Sequence, residues 1–257
     1  MTSAAGNDPT DVMNAMLEAT ANAEDRHFWF RGLRRSAKTM LDAELKGRPL
    51  HRIVDCGSGT GRNLDWLRHY GTAVGVERSP SGLAVALAHH RHVVRASVAA
   101  LPIASASMDL ATSFDVLYCL PDDVEPLALA EMVRVLRPGG LALFNVAALD
   151  ILHGSHSTLT MELRRYTRAR LRTRLGAAGL GVERMSYTNC STFPMTLAVR
   201  AFDRWSGRAA KASDADLQVP AAPVNALLDL ALSAEAQVMR YVNLPIGTSL
   251  LCLARKA

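Results

Sequence analysis

At 257 residues, 49% of them apolar and 21% charged, the chain suits one large globular domain, or one domain with an added subdomain, and has material for a sizeable core. A formal net charge of +5 fits anionic ligands or an ordinary basic surface, and the four cysteines form no C-x-x-C pair, which leaves no sequence support for a zinc or redox motif and suits a reducing cytoplasm. The first residues, M-T-S-A-A-G-N-D-P-T-D, lack the basic start and apolar stretch of a signal peptide, and no apolar run approaches the ~20 residues of a bilayer span, so the expected protein is cytoplasmic with no membrane span.

Residues 1–10 are small and polar. Thr10 or Asp11 can cap a helix carrying Val12, Met13, Met16 and Leu17 on one face. A second helical repeat (Leu33, Ala37, Met40, Leu41, Leu45) is stopped by Gly47 and Pro49. Between them, E-D-R-H-F-W-F-R-G-L-R-R at 24–35 collects three aromatics. Burying Phe28, Trp29 and Phe30 would dock the helix start on a sheet, at ~1.5–3 kcal/mol for each fully buried ring. Consecutive aromatics cannot all face one way on a helix, so the block also reads as a lid in which Trp29 touches a ligand and Arg31 grips a carboxylate with its planar fork.

From residue 52 the chain alternates. Strand-like runs at Arg52–Cys56, Ala73–Glu77, His92–Ala96, Asp109–Phe114 and Leu141–Val146 are separated by helical patterns. Leu64, Leu67 and Tyr70 mark the first of these. The second opens at Ser79-Pro80-Ser81, with Ser79 as cap and Pro80 in the first turn; the third is Val124–Leu136, broken by R-P-G-G at 137–140. This rhythm predicts a parallel α/β sheet whose strand C-termini share the ligand-binding edge. Beyond residue 150 come a histidine-bearing loop, an Arg-rich helix at about 168–178, a weak strand at 182–188, two helical patterns at about 195–206 and 223–241, and a closing strand Gly247–Arg255.

The sharpest motif is I-V-D-C-G-S-G-T-G-R-N at 53–63. Gly57, Gly59 and Gly61 alternate, so the spacing departs from G-x-G-x-x-G, and no G-K-[ST] follows to make a P-loop. Glycines at such a turn let backbone touch a ligand. Glu77 ends the next strand, twenty residues after Gly57, where an acid can accept from both ribose hydroxyls; a plain surface acid is the alternative.

These features together resemble class I S-adenosylmethionine-dependent methyltransferases of the broad type-11-like group. The residues that carry the resemblance are D-C-G-S-G-T-G at 55–61, G-V-E-R-S at 75–79, A-A-L-P at 99–102, M-D-L-A-T-S-F-D-V-L at 108–117 and V-L-R-P-G-G at 135–140. The resemblance implies a Rossmann-like seven-stranded, mostly parallel sheet with an antiparallel last strand, plus N-terminal helices and a helical insertion before that strand. In one domain spanning 1–257, residues 1–48 would form a helical lid, 50–147 the cofactor-binding core, and 150–257 the substrate loop, insertion and last strands. It implies S-adenosyl-L-methionine as cofactor. Asp55, Gly57, Gly59 and Gly61 would surround its methionine part, with Asn63 beside them. Glu77 would hold the ribose, with Arg78 next to it, and Ser97 and Val98 would meet the adenine. The family often has an acid where Ser97 stands. Phe114 and Asp115 would lie beside the sulfonium, with a strand-end cap as the alternative for Asp115. Trp29 and Arg31 join the set through an H-[FW]-W-F-R-G block found in one subgroup.

The loop N-V-A-A-L-D-I-L-H-G-S-H-S-T-L-T-M-E-L-R-R-Y-T (145–167) leaves the same edge. A neutral histidine is tuned to deprotonate a hydroxyl near pH 7. In the resembling subgroup a histidine eight residues before an R-R-Y-T block is common. His156 holds that place, with Ser157 where Asp is usual, and His153 is the second candidate. Two histidines without a third ligand do not make a metal site. Tyr118, Arg164 and Tyr166 are the candidate substrate contacts, while the arginine run from 164 to 174 otherwise reads as a solvated face. No nucleic-acid module accompanies it. The helices within 191–245 would cover the site mouth or form a homodimer contact, and Asp203, Asp229 and Glu235 argue against membrane binding. The expected activity is methyl transfer to a hydroxyl of a small polar acceptor, a sugar or glycan. N- or C-methylation of a small metabolite, a cofactor-binding homologue without turnover and a nicotinamide enzyme are the alternatives.

Overall fold

The computed structural model describes residues 9–152, 162–205 and 218–257. Seven strands form one sheet: β1 Arg52–Cys56, β2 Thr72–Glu77, β3 Val93–Arg95, β4 Met108–Phe114, β5 Leu136–Ala147, β6 Leu180–Thr188 and β7 Ser249–Lys256. Their spatial order is β3-β2-β1-β4-β5-β7-β6. The pairs β1–β2, β1–β4, β2–β3 and β4–β5 are parallel, and β7 slots in antiparallel between β5 and β6. The expected sheet is therefore the observed one. The chain runs outward from β1 to β3, then returns to build β4 and β5 on the other side. The crevice between β1 and β4 is the point where a parallel sheet opens to a ligand.

Both faces of this sheet are covered, which is why its central strands are apolar on both faces. Val54, Ala111, Ala142 and Phe144 share a core with α5 (Val124–Val135) and α6 (Arg168–Ala177). Ile53, Leu110, Leu143 and Leu251 point the other way, against α2 (Phe28–Leu45) and the single turn α3 (Leu64–Leu67). Local signals set the helix ends. Ser79 Oγ accepts from Gly82 N at the head of α4 (Pro80–Ala88), and His27 Nδ1 accepts from Trp29 N at 3.1 Å to cap α2. Helix α1 (Pro9–Ala23) crosses over α4 at the ligand edge.

Of the two insertion helices, α7 (Phe193–Trp205) and α8 (Ala222–Val238), the second lies along α2. Asp229 takes Arg35 in a fork at 2.7 and 2.9 Å and also pairs with Arg31 at 2.9 Å, while Asn225 Oδ1 accepts from Phe28 N. Gly32 permits this close approach, because a Cβ there would sit 2.4 Å from Leu232 Cδ1. The outward face of α8 leaves Leu227 and Leu230 each 66% exposed. No helix among the described residues is long and apolar enough to cross a membrane.

Gly247, at the entry to β7, is packed against backbone: a Cβ there would lie 2.1 Å from Thr188 O. Gly247→Ala is expected to cost about 1–3 kcal/mol, read as a lower urea midpoint. Gly176→Ala, in open space on α6, should instead hold or raise the midpoint by up to about 1 kcal/mol.

Candidate active site

The turn after β1 depends on backbone that only glycine adopts freely. Gly57, Gly59 and Gly61 have φ of 78°, 54° and 73°. Gly57 also has no room for a side chain, since a Cβ would meet Val116 Cγ2 at 2.5 Å. Gly57 N and Ser58 N donate to Val76 O at 2.8 and 3.0 Å, tying the turn to β2. At the end of β2, Glu77 locks it. Its Oε2 accepts from Gly59 N at 2.8 Å, and its Oε1 accepts from Arg78 N and Ser79 N, both at 2.7 Å. A carboxylate offers about four acceptor positions, so a fixed carboxylate with capacity to spare faces the turn.

Beneath the turn Asp55 is fully buried. Its Oδ1 accepts from Thr112 Oγ1 at 2.6 Å, and its Oδ2 has no hydrogen-bond partner among the described residues. Burial pushes its carboxyl up to about 7, the Thr112 bond pulls it down, and the charge on Glu77 raises it. Above the turn lies α1. Ser79 Oγ bonds Asn14 Oδ1 at 2.7 Å, Thr60 Oγ1 bonds the buried Glu24 at 2.8 and 2.9 Å, and Leu17 lies over Gly59. Across the crevice, Asp115 follows β4 with φ of 62°. Its carboxyl accepts from Asn145 Nδ2 at 2.8 Å and from the Tyr118 hydroxyl.

The structure therefore brings Asp55, Gly57, Gly59, Gly61, Glu77, Asp115 and Tyr118 to one edge. Other expected residues have other duties. Arg31 is held by Asp229, and Trp29 stacks edge-on to Phe30 at 4.9 Å while packing against the α2 core. Asn63 Oδ1 accepts from Trp66 Nε1 at 3.1 Å. Arg78 contributes its backbone N–H to Glu77, and its side chain is exposed. Ser97 Oγ accepts from Ala99 N at 3.2 Å, and Val98 packs on the core. Phe114 ends β4 with its ring 6.1 Å from Trp66, packed in the α2 layer. One expectation needs correction. Arg164 and Tyr166 do not face an acceptor. Both are buried around Glu125, with the Tyr166 hydroxyl bonding Glu125 Oε1 at 2.7 Å and Arg164 reaching Oε2 at 3.3 Å. His153 and His156 lie outside the described residues. Asn145 and Glu24 were missed. Asn145 had a signal, a lone amide in the apolar run L-A-L-F-N-V, whereas Glu24 had none.

Residues 54–144 match the model of a family described as a methyltransferase domain. The matched stretch, which runs from β1 into β5 and holds the glycine turn and Glu77, is similar to the methyltransferase domain of class I S-adenosylmethionine-dependent enzymes. The chain is 37% identical over 123 residues to a malonyl-[acyl-carrier protein] O-methyltransferase of Enterobacter lignolyticus, covering 46% of this chain and 47% of that one. It is 33% identical over 139 residues to a trans-aconitate 2-methyltransferase of Deinococcus radiodurans, covering 53% of each. The chain thus spans about half the length of the curated relatives it matches. Its fold is shared with a Burkholderia thailandensis 1,6-didemethyltoxoflavin-N1-methyltransferase solved with S-adenosylhomocysteine, at TM-score 0.56 and 18% identity over 100% of this chain and 92% of that one. The site fits S-adenosylmethionine, the cofactor of such enzymes. The glycine turn admits close backbone contact, Glu77 has acceptor capacity for ribose hydroxyls, and Asp55 Oδ2 is a buried acceptor still without a donor among the described residues.

Asp55 and Asp115 are both raised to about 7, far above the 3.8 of an unfolded aspartate. The folded protein then holds protons that the unfolded chain has lost, so their contribution is full below about pH 4 and disappears as pH rises through about 7. Urea midpoints should therefore fall from pH 5 to pH 8, and Asp55→Asn should flatten that slope. A midpoint independent of pH in the native sequence would contradict the burial of these acids.

Proposed function

We propose that this methyltransferase moves the methyl group of S-adenosylmethionine to an oxygen of a small polar acceptor. The observation that carries the reading is the glycine turn after β1, braced by Glu77 at the end of β2, with α1 closed above it. The cofactor supplies an already activated methyl group on a sulfonium. The protein's share is alignment, exclusion of water and removal of one proton. Gly57, Gly59 and Gly61 offer the methionine part their backbone, Glu77 takes the ribose hydroxyls, and α1 shields the turn from solvent. The acceptor enters over the ends of β4 and β5.

Transfer to oxygen is supported by the malonyl-[acyl-carrier protein] O-methyltransferase among the relatives. Neither it nor the trans-aconitate enzyme is named for a sugar, so the acceptor class is set more broadly than a glycan: a hydroxyl or carboxyl oxygen on a small polar molecule. The loop after β5 carries His156, which the sequence makes a candidate proton acceptor, and His153.

A labelled-methyl assay against hydroxy compounds, carboxylic acids and amines tests this. Oxygen acceptors should be labelled. If His156 is the base for a hydroxyl, His156→Ala should lose on the order of 10²–10⁴-fold, whereas an amine acceptor would leave it nearly unaffected. Labelling of amines alone would overturn transfer to oxygen.

A further inference from the structure

The described residues contain a second proton acceptor, built into the sheet edge. Resting on the methyltransferase reading above, we propose that Asp115 is a catalytic residue that takes the proton from the acceptor, with Asn145 and Tyr118 as its positioning residues.

Asp115 is the first residue beyond β4, and its neighbour Val116 forms the wall against Gly57. Asp115 therefore lies in the segment that lines the glycine turn, at the carboxyl end of β4. The backbone there is left-handed, φ 62°, a region that residues other than glycine seldom adopt. Such strain persists where surrounding bonds over-determine it. Here Asp115 N donates to Asn145 O at 3.0 Å, and Asn145 Nδ2 donates to Asp115 Oδ1 at 2.8 Å.

The chain also shows what a purely structural aspartate looks like. Asp109, at the opposite end of β4, accepts from His51 N at 2.6 Å and Arg52 N at 2.8 Å and pairs with Arg137, which hold its carboxyl below the usual range. The Asp115 carboxyl instead bonds two side chains, Asn145 and Tyr118, and forms no salt bridge among the described residues. The groups facing it are Tyr118 and Cys119 from the turn after β4, and Glu162, which is itself bound by Arg165. Asn145 adds the second observation. It is 0% exposed, and its Oδ1 has no hydrogen-bond partner among the described residues. An unpartnered acceptor oxygen thus lies beside the Asp115 carboxyl in the buried end of the site. Burial, the largest influence on the Asp115 carboxyl, raises it to about 7, where a general base works at neutral pH.

The step balances. The acceptor oxygen gives its proton to Asp115 as its lone pair bonds the methyl carbon, and the S–CH₃ bond breaks onto sulfur. One carboxylate and one sulfonium become a neutral acid and a thioether, and Asp115 then returns the proton to water.

The test begins without the acceptor. Carbon-13 NMR titration of aspartate-labelled protein, with the resonance assigned through Asp115→Asn, is run alone, with S-adenosylhomocysteine, and with sinefungin, which carries a cationic amine where the methyl is transferred. The free protein should titrate near 7. Sinefungin should lower the midpoint relative to S-adenosylhomocysteine by on the order of one unit or more. Equal midpoints with both ligands, or a free midpoint near 4, would overturn the proposal, while failure of both ligands to bind would instead count against the methyltransferase reading. With a labelled acceptor in hand, Asp115→Asn should lose about 10²–10⁴-fold in kcat and the acid limb near pH 7, with S-adenosylhomocysteine affinity within a few-fold. Asp115→Glu should recover part of the rate. Full activity in Asp115→Asn would also overturn it.

Discussion

The three hydrogen bonds that backbone gives to Glu77 organise the ligand edge of this protein. They join the glycine turn after β1 to the end of β2, and they fix one carboxylate against that turn. Charge-assisted bonds of this kind are each worth about 1.5–3 kcal/mol, enough to hold three alternate left-handed glycines in one arrangement. The other features follow from that arrangement. Ser79, aligned by Glu77, caps α4 and reaches Asn14, so α1 is positioned by the same carboxylate that braces the turn.

The roof is built from the N-terminal helices and the insertion together. Glu24 anchors the end of α1 to Thr60 in the turn, and α2 is clamped by Asp229 on α8. An arginine that looked free to grip a ligand is thereby committed to joining two segments nearly two hundred residues apart. The buried Glu125 does the same work on the opposite side, gathering Arg164 and Tyr166 so that the chain returning from the histidine loop is fixed to α5. Removing either acid would strand arginines whose charge it balances, which is costly where they are buried.

Much of the fold was legible in the sequence because its signals were local. Alternation of apolar runs placed all seven strands, and Ser79-Pro80 marked the start of α4 to the residue. The glycine turn and Glu77 were legible because backbone geometry leaves few residue types able to serve there. Arg164 and Tyr166 were misread because nothing in R-R-Y-T says that Glu125, some forty residues earlier, waits beneath them. The roles of Asn145 and Glu24 exist only once strands and helices are assembled.

The account rests on Glu77 and the turn it braces holding an adenosyl ligand, and calorimetric titration with S-adenosylhomocysteine, comparing the native chain with Glu77→Gln, tests it most directly. The native chain should bind at one site per molecule, and the variant, checked as folded by its urea transition, should bind about ten- to a hundredfold more weakly, the loss expected for hydrogen bonds to a charged group. Equal affinity in the two proteins, or no binding to the native chain, would contradict it.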